Sequence, residues 1–184
     1  ETSATMTQPG GANYQIKSHT YTSAGTYEIK ITGVNFKGLF MRGAWSGAGY
    51  ANDPDSRLSL INLKNWGICE VSDLGQAYYR CENMVYSASD RPRLNAFIPT
   101  GDVRQTFSFC HSIESLDVSG WLDTDKFTRH DAMLQMDASG ASKLAELNLT
   151  GWDFTNSVAM NGMCQAIGKS SPTGCNITIP NVVA

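Results

Sequence analysis

The stretch SLDVSGW at 115–121 returns as ELNLTGW at 146–152. Both copies alternate polar and apolar residues, pass through two small residues and end on tryptophan. In an extended strand, side chains alternate between faces. Leu116 and Val118 would therefore share one face with Leu147 and Leu149 of the second copy, while Asp117 and Asn148 turn to the other. The same apolar-x-apolar-x-x-bulky phrase occurs at 61–66 (INLKNW), more weakly at 29–34 (IKITGV) and 177–182 (ITIPNV), and most poorly at 96–101 (AFIPTG). The first positions, 29, 61, 96, 116, 147 and 177, lie 32, 35, 20, 31 and 30 residues apart. A short strand followed by a long return, repeated at this period, buries its apolar face by stacking strand beside strand. The expectation is α/β: a solenoid with a parallel sheet on one side, whose recurring tryptophans (Trp66, Trp121, Trp152) stack in the core.

The returns carry a second pattern. In VSDLGQAYYRCENM, Val71, Leu74, Ala77, Tyr78, Cys81 and Met84 recur at spacings of three and four, which predicts a short amphipathic helix begun by Ser72 or Asp73. VRQTFSFCHSI is a shortened copy, with Val103, Phe107, Cys110 and Ile113 at matching places, and VAMNGMC at 158–164 is a looser one. Phe127, Met133, Leu134 and Met136 suggest another, broken after Met136 by DASGASKL. At the start, YQIKSHTY and TYEIKI joined by Ser23-Ala-Gly25 read as a hairpin that caps the first strand, a solenoid needing its ends covered. The expected organisation is a flexible segment 1–13 and one solenoid domain 14–184, with hairpin cap and first strand over 14–34 and an inserted loop at 43–55.

Bulk properties narrow the function. The chain has 184 residues, 41% hydrophobic and 17% charged, with a net charge of −3, enough apolar content for one core and no basic footprint for nucleic acid. No run of eighteen apolar residues is present to insert in a membrane. The first residue is Glu rather than Met, read as a processed product or a fragment. The five cysteines (69, 81, 110, 164, 175) contain no CxxC pair and read as small buried apolar residues, a Cys164–Cys175 bridge being left open.

Taken in order, HTYTSAGTYEIKITG, LINLKNWG, VSDLGQAYYRCENM, LDVSGW and LTGWDFTNSVAMNGM resemble the BspA-like leucine-rich-repeat surface proteins over about residues 16–165. The resemblance implies a leucine-rich-repeat solenoid and a surface-displayed, non-enzymatic binding role, in bacterial adhesins and in phage-encoded structural proteins. It differs in lacking the Trp-Gly-Asp-Gly strand that often precedes the H-T-Y segment, in having few and irregular repeats, and in inserting GAWSGAGYANDPD at 43–55.

Site candidates follow from the strands. Lys30, Asn62, Phe97, Asp117, Asn148 and Thr178 lie between apolar positions and form a candidate outward column, flanked by Thr32, Lys64, Pro99, Ser119, Thr150 and Pro180. Amides, hydroxyls and a carboxylate with one aromatic suit a glycan or a protein receptor; stacked strands also favour such polar columns without any ligand. Trp45 and Tyr50 in the inserted loop fall outside the repeat register, as recognition aromatics or as a cap on the first coil. Ile177, Ile179 and Val182 form a last apolar strand with nothing after it, which predicts packing on a partner, as a homo-oligomer or in a larger assembly.

His19, His111 and His130 fall in separate repeat units with no catalytic motif, so no enzyme and no cofactor are expected. Asp53, Asp55, Asp123 and Asp125 are oxygen ligands on turns and weak calcium candidates, Asp being also an ordinary turn former. Asn-Leu-Thr at 148–150 and Asn-Ile-Thr at 176–178 match glycosylation acceptors but fall on expected strands. The expected role is recognition outside the cell, on a cell or virion surface, with a structural part in a virion or surface assembly as the alternative.

Overall fold

The protein is described here by a computed structural model covering residues 22–31, 54–67, 70–71, 74–94, 101–136, 142–170 and 173–179. The 1–13 segment, the first arm of the expected hairpin, Trp45, Tyr50, Asp53, Phe97 and Val182 lie outside the described residues. The chain divides into two compact units, 1–32 and 33–184.

In the first unit, residues 22–31 contain no strand. The Tyr27 hydroxyl donates to the Ser23 carbonyl at 2.7 Å and also lies 3.1 Å from Ser23 Oγ, and the tyrosine ring packs 3.5 Å from where a Gly25 Cβ would stand. Tyr27 therefore closes the Ser23-Ala-Gly25 bend.

The second unit is built from two- and three-residue strands: β1 (Asn62–Leu63), β2 (Glu70–Val71), β3 (Val85–Tyr86), β4 (Arg93–Leu94), β5 (Gly101–Asp102), β6 (Ser115–Asp117), β7 (Phe127–Arg129), β8 (Glu146–Asn148) and β9 (Asn176–Thr178). Every pairing among them is parallel: β1 with β3, β2 with β4, β5 with β7, and the three-stranded sheet β6–β8–β9. In that sheet Leu116, Leu147 and Ile177 stand in one row and Asp117, Asn148 and Thr178 in the next.

The repeated Ser-Gly-Trp and Thr-Gly-Trp endings have a backbone reason. Trp121 N–H closes on the Val118 carbonyl and Trp152 N–H on that of Leu149, with Gly120 and Gly151 at φ +85° and +84°. A four-residue turn with positive φ at its third position favours glycine there. Each turn sends its tryptophan back under the strand. Trp66, Trp121 and Trp152 are buried, with ring centroids 5.4 Å apart for the first pair and 5.6 Å for the second.

The returns differ from the helix that their spacing predicts. Segments 74–81, 103–110 and 130–135 consist of four-residue turns, each with a left-handed residue in third place: Gln76 and Arg80, Gln105 and Phe109, Ala132. Half of the amides close these turns, as in Ala77→Leu74 and Cys81→Tyr78. The alternate amides donate to the next return instead: Leu74→Asp102, Gln76→Arg104, Tyr78→Thr106, Arg80→Ser108. The pattern continues from 103–109 onto 129–135 and from 130–136 onto 159–165. Inward residues fall at the first and fourth places of each turn, so they space as three, one, three. An amphipathic helix repeats i, i+3, i+4, i+7, and the two are indistinguishable as patterns. The helix loses here because its amides would bond within the segment, leaving none to join neighbouring returns.

Among the described residues the only α-helix is α1 (Pro54–Ser59), with a 3-10 turn at Thr124–Lys126. α1 begins where a turn is expected, since Pro54 fits a first helical position that needs no amide donor. The core runs through Val71, Leu74, Tyr78, Cys81, Met84, Phe107, Cys110, Leu116, Leu147 and the three tryptophans. Tyr78 and Phe107, equivalent places in adjacent returns, stack with centroids 5.7 Å apart and planes 8° from parallel.

Candidate functional site

A hollow of about 100 Å³ opens beside the end of β6, lined by Ala88, Ser89, Asp90, Arg91, Asp117, Ser119 and Trp121. Its two sides have different origins. Asp117 and Ser119 come from the repeated phrase, where Ser119 N–H donates to Asp117 Oδ1 at 2.9 Å. Asp90 and Arg91 come from the loop after β3. Asp90 is held by both oxygens: Oδ1 accepts the Trp66 amide at 2.8 Å and Oδ2 the Gly67 amide at 2.7 Å. Arg91 lies across Gly120, whose missing Cβ would stand 2.6 Å from the guanidinium carbon. The glycine that the turn requires thus also admits the guanidinium.

The Asp117 carboxyl is held below its ordinary value, first by the Ser119 hydroxyl, then by the Ser119 amide, the Asn148 side chain and the positive charge of Arg91, against slight desolvation. It is an acceptor at neutral pH. Nearby in the core, the Tyr86 hydroxyl accepts from Trp66 Nε1 at 2.9 Å, and burial, the largest effect on it, raises its pKa. Trp121, the aromatic that lines the hollow, is fixed by packing on Trp66 and Trp152.

The expected outward column is only partly assembled. Asp117, Asn148 and Thr178 occupy one row of the β6–β8–β9 sheet, with Asp117 and Thr178 exposed and Asn148 half-buried. Asn148 Oδ1 accepts from both the amide and the hydroxyl of Thr150. Asn62 belongs to a different sheet, where its register partner is Val85, and it accepts from Ser87 Oγ at 2.9 Å. Lys64 follows β1 and is exposed. Lys30 is exposed in the first unit, outside any strand. Of the final strand, Ile177 and Ile179 are 45% and 60% exposed.

Asp123 is exposed with left-handed backbone, and Asp125 pairs with Lys126 Nζ at 2.9 Å. Asp55 lies in α1. Among the described residues no group of three or more His, Cys, Asp or Glu side chains converges for a metal, and no helix is long and apolar enough to cross a membrane. The cysteines there are thiols: burial pushes Cys81 up to about 12, Cys164 to about 11 and Cys110 well above its ordinary value. His130 is buried among Phe127, Trp152 and Phe154, with Nδ1 3.0 Å from Ser157 Oγ. Burial lowers its pKa to about 4, against the opposing pull of Asp131 and Asp102.

Compared with known proteins, the chain matches no family model, and neither a curated protein nor a solved structure shows significant similarity to it.

Residues 88–91 were not legible as a site. Their signal is the alternation Met84, Tyr86, Ala88 before Asp90, which marks a strand, but it lacks the bulky end that defines the repeated phrase. Arg91 itself carries no sequence signal, since only the fold brings it onto Gly120.

Proposed function

We propose that the chain is a leucine-rich-repeat-like solenoid of the BspA-like kind that serves as a non-enzymatic recognition module on a cell or virion surface. Its ligand is a surface glycan or a protein receptor, met by the polar row at the ends of the short parallel strands. The observation that carries this reading is the row Asp117–Asn148–Thr178, fixed in register on adjacent strands and continuous through Asp117 with the polar hollow at Arg91. Fixed polar groups on rigid elements lose little entropy when they bind. The test is a panel of immobilised glycans probed with the protein and its Asp117→Ala and Asn148→Ala variants. Binding that falls at least tenfold in the variants, with unchanged circular dichroism, supports the reading; binding that survives both overturns it.

A second reading, assembly, rests on the exposed Ile177 and Ile179 at and just after β9, 45% and 60% exposed. Among the described residues β9 pairs only with β8, and an open apolar edge favours strand addition. Light scattering with and without residues 177–184 tests it. An oligomer dissolved by the truncation supports assembly, and a monomer in both cases removes it.

A further inference from the structure

We propose that the Arg91–Asp117 hollow takes a pair of neighbouring hydroxyl groups on a neutral saccharide; the inference rests on the recognition reading above and specifies its point of contact. The argument starts from an ion pair that does not close. Arg91 is near enough for its charge to lower the Asp117 carboxyl. Yet among the described residues no salt bridge joins them and the guanidinium has no hydrogen-bond partner. Gly120 sets the guanidinium's place, with Nη1 2.8 Å and Nε 2.9 Å from the missing Cβ. Asp117 is set by Ser119 and Asn148. A planar donor fork and a carboxylate acceptor therefore face a common space without satisfying each other.

The charges select what fills it. An anion would meet the Asp90 and Asp117 carboxylates, and a cation would meet Arg91. A hydroxyl both donates and accepts, so two adjacent hydroxyls can give protons to Asp117 while taking them from Arg91. Ser89 and Ser119 supply further hydroxyls, and Ala88 and Trp121 offer apolar surface for ring C–H groups. The volume of about 100 Å³ corresponds to roughly three water molecules. It admits one edge of a sugar ring, not a whole oligosaccharide. Asp90, with both oxygens engaged by backbone amides, holds the wall in place.

The experiment is a ¹⁵N–¹H NMR titration of the full chain, following the Trp121 indole and the amides of 88–91 and 117–121. The probes are methyl glycosides presenting cis and trans hydroxyl pairs, with acetate and methylguanidinium as charged controls. The expected result is saturable shifts with at least one glycoside and none with either ion. Arg91→Lys keeps the charge but loses the fork, and Gly120→Ala displaces the guanidinium; each is expected to weaken binding at least tenfold while the remaining spectrum stays folded. If Gly120→Ala unfolds the turn, Arg91→Lys alone decides. No saturable shift with any glycoside, saturation by acetate or methylguanidinium instead, or Arg91→Lys binding like the parent each overturns the proposal. Glycan-panel binding lost in Asn148→Ala but kept in Arg91→Lys overturns it while leaving the recognition reading in place; no panel binding by the parent overturns it together with the glycan form of that reading.

Discussion

The two edges of the β6–β8–β9 sheet use the same residue types and reach opposite outcomes. Leu116 and Leu147 are 0% and 1% exposed, and Ile177 in the same row is 45% exposed. One step along, Val118 and Leu149 are 0% and 1% exposed and Ile179 is 60% exposed. The apolar-polar-apolar alternation is present in all three copies, including Ile177-Thr178-Ile179. What differs is the packing: Leu116 and Leu147 belong to the core cluster, and among the described residues Ile177 does not. In this sheet, the alternation of side chains is written within each strand, whereas burial is supplied by what packs against it.

Thiol labelling breaks this comparison most sharply. Cys110 is fully buried, while Cys175 is partly exposed. In single-cysteine variants, Cys175 is expected to react on the order of a thousandfold faster than Cys110, which waits for substantial opening of the core. Equal rates would mean that the middle opens as readily as the end. Next, Leu147→Ala should cost about 3 kcal/mol in urea unfolding and Ile177→Ala less than about 1 kcal/mol, because only the first leaves a cavity. An equal loss would show that Ile177 is covered in solution.

The largest pH effect expected near neutrality centres on the buried His130. Unfolded His130 takes up its proton near pH 6.5 and the folded side chain only near 4. The stability present above pH 6.5 is therefore lost as the pH falls through that window, by about 2 kcal/mol once water entry and relaxation are allowed for. His130→Phe should flatten the dependence between pH 6.5 and 4 in denaturant midpoints. The smallest effect concerns the turns: Ala132 sits at φ 51°, so Ala132→Gly should stabilise by about 0.5 kcal/mol, the relief of left-handed strain exceeding the added chain entropy. A loss in midpoint would contradict it.

The strand rows at 115–118 and 146–149 were legible because a period of two reports directly on a two-sided strand. So was the burial of Tyr78, Cys81, Phe107 and Cys110. The conformation carrying that second stripe was not, because three-one-three spacing belongs equally to a helix and to successive four-residue turns. Only a bonding partner outside the segment separates the two, and sequence spacing contains no such partner. The strand Val85–Tyr86 escaped for a different reason: its tryptophan-like place is taken by contacts from elsewhere, with Trp66 donating across to Tyr86. Asp117 was found by alternation, while Arg91 joins it through tertiary approach over Gly120. The site is thus half periodic and half folded.

The alternating amides of the returns also govern how the molecule comes to be formed. Each segment such as 74–81 completes its hydrogen bonding only when a segment nearly thirty residues later is in place. No return can ripen alone, and a peptide covering 74–84 should show no helical circular dichroism despite its stripe. Folding must close long loops before local turns gain their reward, which slows the search and binds neighbouring returns into shared cooperative units.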